Sequence, residues 1–233
     1  MSKNVSQTAL VFTAHPDDEV LGCGGTIARL AAEGWHVHVI IMAEGITSRG
    51  TTRNRAAKGK ALRALEKAAR TANRLLGTAS LTLRDFPDNR MDGVELLDIV
   101  KAVEECVWKY KPSRVFTHHA HDVNIDHQMI HDAVVTACRP TPDSPVRELL
   151  FFEVASSTEW RPAASRQPFA PMLSIDISGH LATKVEALRA YASEIRPFPH
   201  PRSIKAAEAL AVWRGASCGC AAAEAFEVGY IRR

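Results

Sequence analysis

The sequence predicts an α/β fold in three layers, with a mostly parallel central sheet and helices on both faces. Three observations lead there. Short apolar runs alternate with longer segments whose apolar residues recur at helical spacing, the pattern of β-α units. The chain has 233 residues, enough for one such domain with a full core. Its composition, 46% hydrophobic and 24% charged, is that of an ordinary globular protein. One domain over residues 1–233 is therefore expected, with 1–7 as a flexible N-terminus and no internal repeats.

The elements follow in order. Residues 8–13, Thr-Ala-Leu-Val-Phe-Thr, are β-branched and apolar and read as a buried strand. A helix over 22–33 opens with glycines and turns Ile27, Leu30 and Ala31 inward. Residues 35–42 form a second strand. A long helix over 55–76 places Leu62, Leu65, Ala69, Ala72 and Leu76 on one face, and Gly77 ends it. A strand at 80–84 precedes a helix at 94–109, whose stripe is Leu97, Val100, Val103 and Val107. Strand 114–118 leads into helix 126–138, with Asp126 and His127 in its first turn. A fifth strand spans 149–154. The stretch 156–171, with Pro162, Pro168 and Pro171, reads as an irregular loop. A sixth strand at 172–177, a helix at 179–192, a Pro-rich turn at 196–203 and a helix at 204–214 complete the series.

Several function classes are disfavoured. No window approaches the length of a transmembrane span, and residues 1–8 lack the apolar core of a signal peptide. A net charge of +3 predicts no nucleic-acid partner. Five cysteines at scattered positions argue against a disulfide framework and for a reducing, cytoplasmic location. Cys218-Gly219-Cys220 has one intervening residue, so it is not a two-residue zinc knuckle. Gly22-Cys23-Gly24-Gly25 lacks the spacing of a dinucleotide loop, and its glycines serve close backbone packing instead.

Chemistry concentrates after the first and fourth strands. Ala14-His15-Pro16-Asp17-Asp18-Glu19 follows the first, where open α/β sheets keep their ligands. His15 and Asp18 are ligands that Zn²⁺ accepts together, leaving Asp17 as a candidate general base. By itself, Pro-Asp is also common turn chemistry, and Asp17 in that setting would cap a helix. The second cluster shifts the balance. Residues 118–131 contain five of the ten histidines, together with Asp122, Asn124 and Asp126. Two strand ends that each release His and Asp can complete a three-ligand site with one open position, the pattern of catalytic zinc.

His15-Pro16-Asp17-Asp18-Glu19 and Asp122-Val123-Asn124-Ile125-Asp126-His127 together resemble the GlcNAc-PI de-N-acetylase family, also called the LmbE-like or PIG-L family. Phe86-Pro87-Asp88-Asn89-Arg90-Met91-Asp92, Ser157-Thr158-Glu159-Trp160, the stretch from Glu194 to Ser203, Arg214-Gly215 and Ala223-Glu224-Ala225-Phe226 agree with it. The resemblance implies a Rossmann-like fold and a zinc-dependent deacetylase that removes acetyl from an N-acetylglucosamine-type amino sugar or its conjugate. It implies His15, Asp18 and His127 as metal ligands, with Asp17 as base and then acid. His131 shares the helix face of His127 and competes for the third ligand position. Fe²⁺, Co²⁺ or Mn²⁺ suit the same donors. A homo-oligomer is also consistent with the family, and Pro199–Ser203 would then complete a neighbour's site.

Asn124 departs from the pattern, because several members carry a histidine there that can stabilise the oxyanion. An amide donates to an oxyanion but shuttles no proton. His200 is the alternative candidate for that charge. Asp126, Asp122 and Glu19 are expected to support the ligands from behind. The segment from Arg53 to Arg74 carries eight Lys/Arg and one acid, Glu66, which is usually a solvated face. Arg49 and Arg53 lie near the end of the second strand, and Arg90 lies after the third. All three are candidate substrate contacts, as is Trp160 through stacking on a sugar ring. Two rival readings remain: hydrolysis of another small N-acyl compound, and a non-catalytic metal- or sugar-binding protein.

Overall fold

A computed structural model describes residues 7–233. The expected flexible N-terminus lies, apart from Gln7, outside the described residues. The elements run β1 (Thr8–Thr13), α1 (Asp18–Ala32), β2 (His36–Ala43), α2 (Gly59–Leu76), β3 (Ser80–Phe86), α3 (Leu96–Tyr110), β4 (Arg114–His118), α4 (Ile125–Ala137), β5 (Glu148–Phe152), β6 (Leu173–Asp176), α5 (Leu181–Ala190), α6 (Ile204–Ala216) and β7 (Ala223–Ile231).

The seven strands form one sheet in the order β3-β2-β1-β4-β5-β7-β6. Strands β3, β2, β1, β4 and β5 pair in parallel, whereas β7 runs antiparallel to both β5 and β6. This is the predicted Rossmann-like α/β class. Strand β1 lies between β2 and β4, so the chain reverses its direction of winding at β1 and β4. The crevice beyond the carboxyl ends of these two strands is the expected ligand site of such a sheet. Both histidine-aspartate clusters leave the sheet there.

Alternation along β1 builds the three layers. Ala9 and Val11 pack with α1, α2, α5 and α6 on one face. Leu10 and Phe12 pack with α3 and α4 on the other. Successive side chains of a strand point to opposite faces, so a strand buried on both sides carries an unbroken apolar run, as β1 does over residues 9–12.

Two readings need correction. The sequence places the first helix at 22–33, but α1 begins at Asp18 and carries a kink at Cys23, where φ is −147° and ψ 26°. The kink interrupts the backbone ladder, and the buried Glu224 carboxylate accepts the freed Gly25 and Thr26 N–H groups at 2.9 and 2.7 Å. The second correction is β7, which the sequence reading leaves unassigned. Its 226–230 stretch alternates apolar with Glu227 and Gly229, a period-2 signal. Its insertion between β5 and β6 is a long-range pairing. Among the described residues, no helix is long and apolar enough to cross a membrane.

Candidate active site

The loop after β1 is held by backbone geometry. Asp17 adopts φ 116° and ψ −27°, a conformation that costs an L-residue energy and is maintained by its surroundings. Its N–H donates to Glu19 Oε2 at 3.1 Å. Glu19 Oε1 in turn accepts from Tyr191 Oη at 2.5 Å and Asn73 Nδ2 at 2.9 Å. Glu19 is fully buried, and burial pushes its carboxyl up to about 7. Asp17 stands at the N-cap of α1, yet its side chain makes no capping hydrogen bond. Its carboxylate is left to face the cavity.

Asp18, the first residue of α1, sits between two imidazoles. Its Oδ2 lies 3.5 Å from His15 Nδ1 and 3.2 Å from His127 Nε2. Each ring turns its other nitrogen to a second carboxylate. His15 Nε2 is 3.0 Å from Asp126 Oδ2 and 3.3 Å from Asp88 Oδ1. His127 Nδ1 is 3.2 Å from Asp122 Oδ2. Those carboxylates are fixed as well. Asp126 accepts from the backbone N–H groups of Asn89 and Met91 at 2.6 and 3.0 Å. Asp122 accepts from Asn124 N–H at 2.8 Å, Thr158 Oγ1 at 2.7 Å and Ser157 Oγ.

The electrostatics follow from this crowding. Burial disfavours a charged His127, but Asp18 and Asp122 outweigh it and lift the ring to about 9. Burial likewise opposes charge on His15, and Asp126, Asp18 and Asp88 hold it well above the usual range. Burial would raise Asp18, yet the two imidazoles keep it well below the ordinary carboxylate range. Asp88 is held at about 2, against its burial, by His15 and Ser48. Asp17 goes the other way: burial and then the charge of Asp18 push it well up, opposed by the Arg202 guanidinium. A carboxyl inclined to hold a proton beside ionised Asp18 is the division of roles that acid–base chemistry uses.

Ligand atoms of His15, Asp18 and His127 all lie within 4.8 Å of one another. These donors fit a divalent ion. Each imidazole has its outer nitrogen engaged by a buried carboxylate and its inner nitrogen aimed at Asp18, which is how metal-binding histidines are oriented. His15, Asp88 and Asp126 also converge within 4.8 Å. Here both acids are saturated by backbone donors and the ring, so they brace His15.

A cavity of about 220 Å³ opens over this cluster, lined by His15, Asp17, Asp18, His127, Arg49 and Asn124 among others. Asn124 caps α4, its Oδ1 accepting from Asp126 N–H at 2.9 Å, and its Nδ2 donates to Asn89 Oδ1 at 3.0 Å. Arg49 Nη2 pairs with Glu194 Oε2 at 2.6 Å.

The structure keeps five other candidates out of the cavity lining. Arg53 is committed to Glu44 at 2.8 Å and to the Asp85 carbonyl at 2.6 Å. Exposed Arg90 donates to the Thr51 carbonyl at 3.2 Å. His200 Nδ1 accepts from Arg202 N–H, and its ring meets exposed Trp160 edge-on at 5.6 Å. His131 also turns away from the cluster, donating from Nδ1 to the His118 carbonyl at 2.9 Å.

Four residues enter in roles that the sequence reading had not given them. Asp88 braces His15. Buried His118 stacks on His127 with centroids 3.9 Å apart, and its Nε2 accepts the Ala14 N–H at 2.8 Å. Arg202 Nη1 lies 3.4 Å from Asp17 Oδ2 and 3.8 Å from Glu194 Oε2, so the cavity wall reads Asp17, Arg202, Glu194, Arg49 in alternating charge. Only His118, the first histidine after a strand, carries a local signal. The other three sit in motif pieces whose meeting depends on the fold.

Comparison with known proteins shows the family and the fold. A family model described as PIG-L, GlcNAc-PI de-N-acetylase, matches residues 10–138, more than half of the chain. The chain belongs to the GlcNAc-PI de-N-acetylase family. It is 32% identical over 161 residues to the uncharacterized deacetylase YaiS of Escherichia coli, covering 67% of this chain and 78% of that protein. Among solved structures, N,N'-diacetylchitobiose deacetylase from Pyrococcus horikoshii superposes with a TM-score of 0.74 at 19% identity, covering 96% of this chain and 84% of that one. GalB, the 4-carboxy-2-hydroxymuconate hydratase of Pseudomonas putida, superposes with a TM-score of 0.77 at 20% identity, covering 97% of each chain. At these identities the two structures establish the shared fold. The family of this chain is one of deacetylases, which are amide hydrolases.

Proposed function

We propose that this protein is a metal-dependent N-deacetylase that hydrolyses the acetamido group of an N-acetylglucosamine-type sugar or its conjugate. The observation that carries this reading is the position of Asp17. Its carboxylate is buried, uncommitted to helix capping, and placed in the cavity wall that His15 and Asp18 also line. A binding module needs no proton-accepting carboxylate beside its metal ligands.

His15, Asp18 and His127 would hold the ion, with Asp126, Asp88 and Asp122 fixing the imidazoles. When bound, Zn²⁺ or a similar ion supplies Lewis acidity towards the acyl carbonyl and acidifies water. Asp17 takes the proton of the attacking water and returns it to the leaving nitrogen, releasing acetate and a free amine. Arg202 holds the Asp17 carboxylate in line. Asn124, with an amide donor at the cavity wall, is the side chain we assign to the developing oxyanion. His200 would reach it only by leaving Trp160 and the Arg202 N–H.

The polar wall suits a hydroxyl-rich substrate, and Arg49 is placed to meet it. Arg53 and Arg90 shape the loops around the cavity, and Trp160 offers an outer surface for a second ring. The test is amine release from a panel of N-acetylated sugars, using metal-free protein with and without added Zn²⁺. Metal-dependent release from one or two panel members is expected. Release from none, with stoichiometric metal bound, would overturn the deacetylase reading.

A further inference from the structure

The turn between α6 and β7 carries a second cluster that the chemistry above does not use. Cys218 is exposed, Cys220 is half-buried, and neither takes part in a disulfide. Their Sγ atoms lie 3.6 Å apart. Two Zn–S bonds of ~2.3 Å meeting near the tetrahedral angle span about 3.8 Å, so the pair stands close to the bite of a tetrahedral ion.

The backbone sets this spacing. The N–H groups of Cys218 and Cys220 both donate to the Gly215 carbonyl at 3.0 Å. Gly219 between them adopts φ +86°, which a side chain would resist. Gly215 itself is pressed against β7: a Cβ there would come within 2.6 Å of the Ala222 backbone. The two thiols are thus presented by a tight turn. Each thiol is held by a backbone carbonyl, Cys218 Sγ donating to Gly215 at 3.4 Å and Cys220 Sγ to Ala222 at 3.3 Å.

We propose that Cys218 and Cys220 form a thiolate site for a thiophilic divalent ion of the Zn²⁺ or Cd²⁺ class, separate from the His15–Asp18–His127 cluster. Binding replaces the two thiol protons by two metal–sulfur bonds and involves no change of oxidation state. Water completes the coordination, as exposure of Cys218 allows. Sulfur donors make this site softer than the histidine-carboxylate cluster, so the two differ in metal preference and in spectrum.

Co²⁺ titration of the reduced, metal-free full-length protein tests this. Saturation at two equivalents is expected, one of them bringing a thiolate-to-metal charge-transfer band that imidazole and carboxylate ligands cannot produce. Cys218→Ser and Cys220→Ser should each abolish the band and one equivalent, leaving the visible spectrum of the other site unchanged. Cd²⁺ should displace Co²⁺ from the band-forming site first. Saturation at one equivalent without the band, or a band that survives both substitutions, would overturn the proposal. So would thiol titration showing these two cysteines oxidised to each other in protein kept under reductant.

Discussion

Asp17 and Asp18 are neighbours in sequence with opposite protonation tendencies, and the difference comes from what each faces. Asp18 faces two imidazoles, whereas Asp17 faces Asp18, Glu194 and Glu19, opposed by the Arg202 guanidinium alone. Asp17→Asn keeps the shape and removes the proton acceptor. Turnover should fall by about 10²–10⁴-fold, the usual worth of acid–base catalysis, with metal content unchanged by elemental analysis. Residual activity near wild type would remove Asp17 from the mechanism. Asp122 makes a separable prediction. Its Oδ2 orients His127, so Asp122→Asn should weaken metal affinity about 10–100-fold, measured by competition with a chelating dye. Unchanged affinity would mean that His127 is oriented by its stacking on His118 alone.

Helix α1 delivers Asp18 to the site, and its second half is secured by side chains from distant elements. Glu224, on β7, accepts from Gly25 and Thr26 of α1 and pairs with buried Lys184 of α5 at 2.6 Å. Glu224→Ala strands the Lys184 ammonium in the interior, and breaking such a pair costs about 3–5 kcal/mol. Urea denaturation should report that loss, and the double change Glu224→Ala with Lys184→Met should recover part of it. A loss below about 1 kcal/mol, the range of exposed pairs, would mean that water reaches Lys184. The glycines of α1 act through contact. A Cβ on Gly25 would meet Ile177 Cδ1 at 2.6 Å, so Gly25→Ala should destabilise by about 1–3 kcal/mol despite the better helix propensity of alanine. A stabilised variant would show that Ile177 repacks freely.

Across the whole molecule, the active-site crevice gathers Asp17, Asp18, Asp88, Asp122 and Asp126, all buried, from three separate strand ends. A divalent ion that binds only the folded chain stabilises it by mass action, by about 2.7 kcal/mol at a concentration 100-fold above its Kd. Chelator treatment should therefore lower the urea midpoint, and Zn²⁺ should restore it. In the Cys218→Ser, Cys220→Ser double variant, the part of the shift that arises in the histidine-carboxylate cluster should persist. A midpoint indifferent to metal would mean that the folded chain does not bind the ion, and would overturn the metal reading of His15, Asp18 and His127.

What the sequence by itself determined was local. Short apolar runs marked six of the seven strands and period-3.6 patterns all six helices, because apolar spacing within one element is written in consecutive residues. The His-Pro-Asp-Asp loop and the cluster at 118–131 were legible for the same reason, since each follows a recognisable strand. Only the tertiary structure decided what depends on residues far apart in the chain. It inserted β7 between β5 and β6, started α1 at Asp18 around a kink satisfied by Glu224, and brought Arg202 to Asp17 across 185 positions. It also took Arg53, Arg90, Trp160 and His200 out of the cavity lining. Whether a polar side chain faces a cavity depends on which partner it finds first. That competition, among Glu44, Asp85 and Thr51 for two of these arginines, is settled by packing between elements.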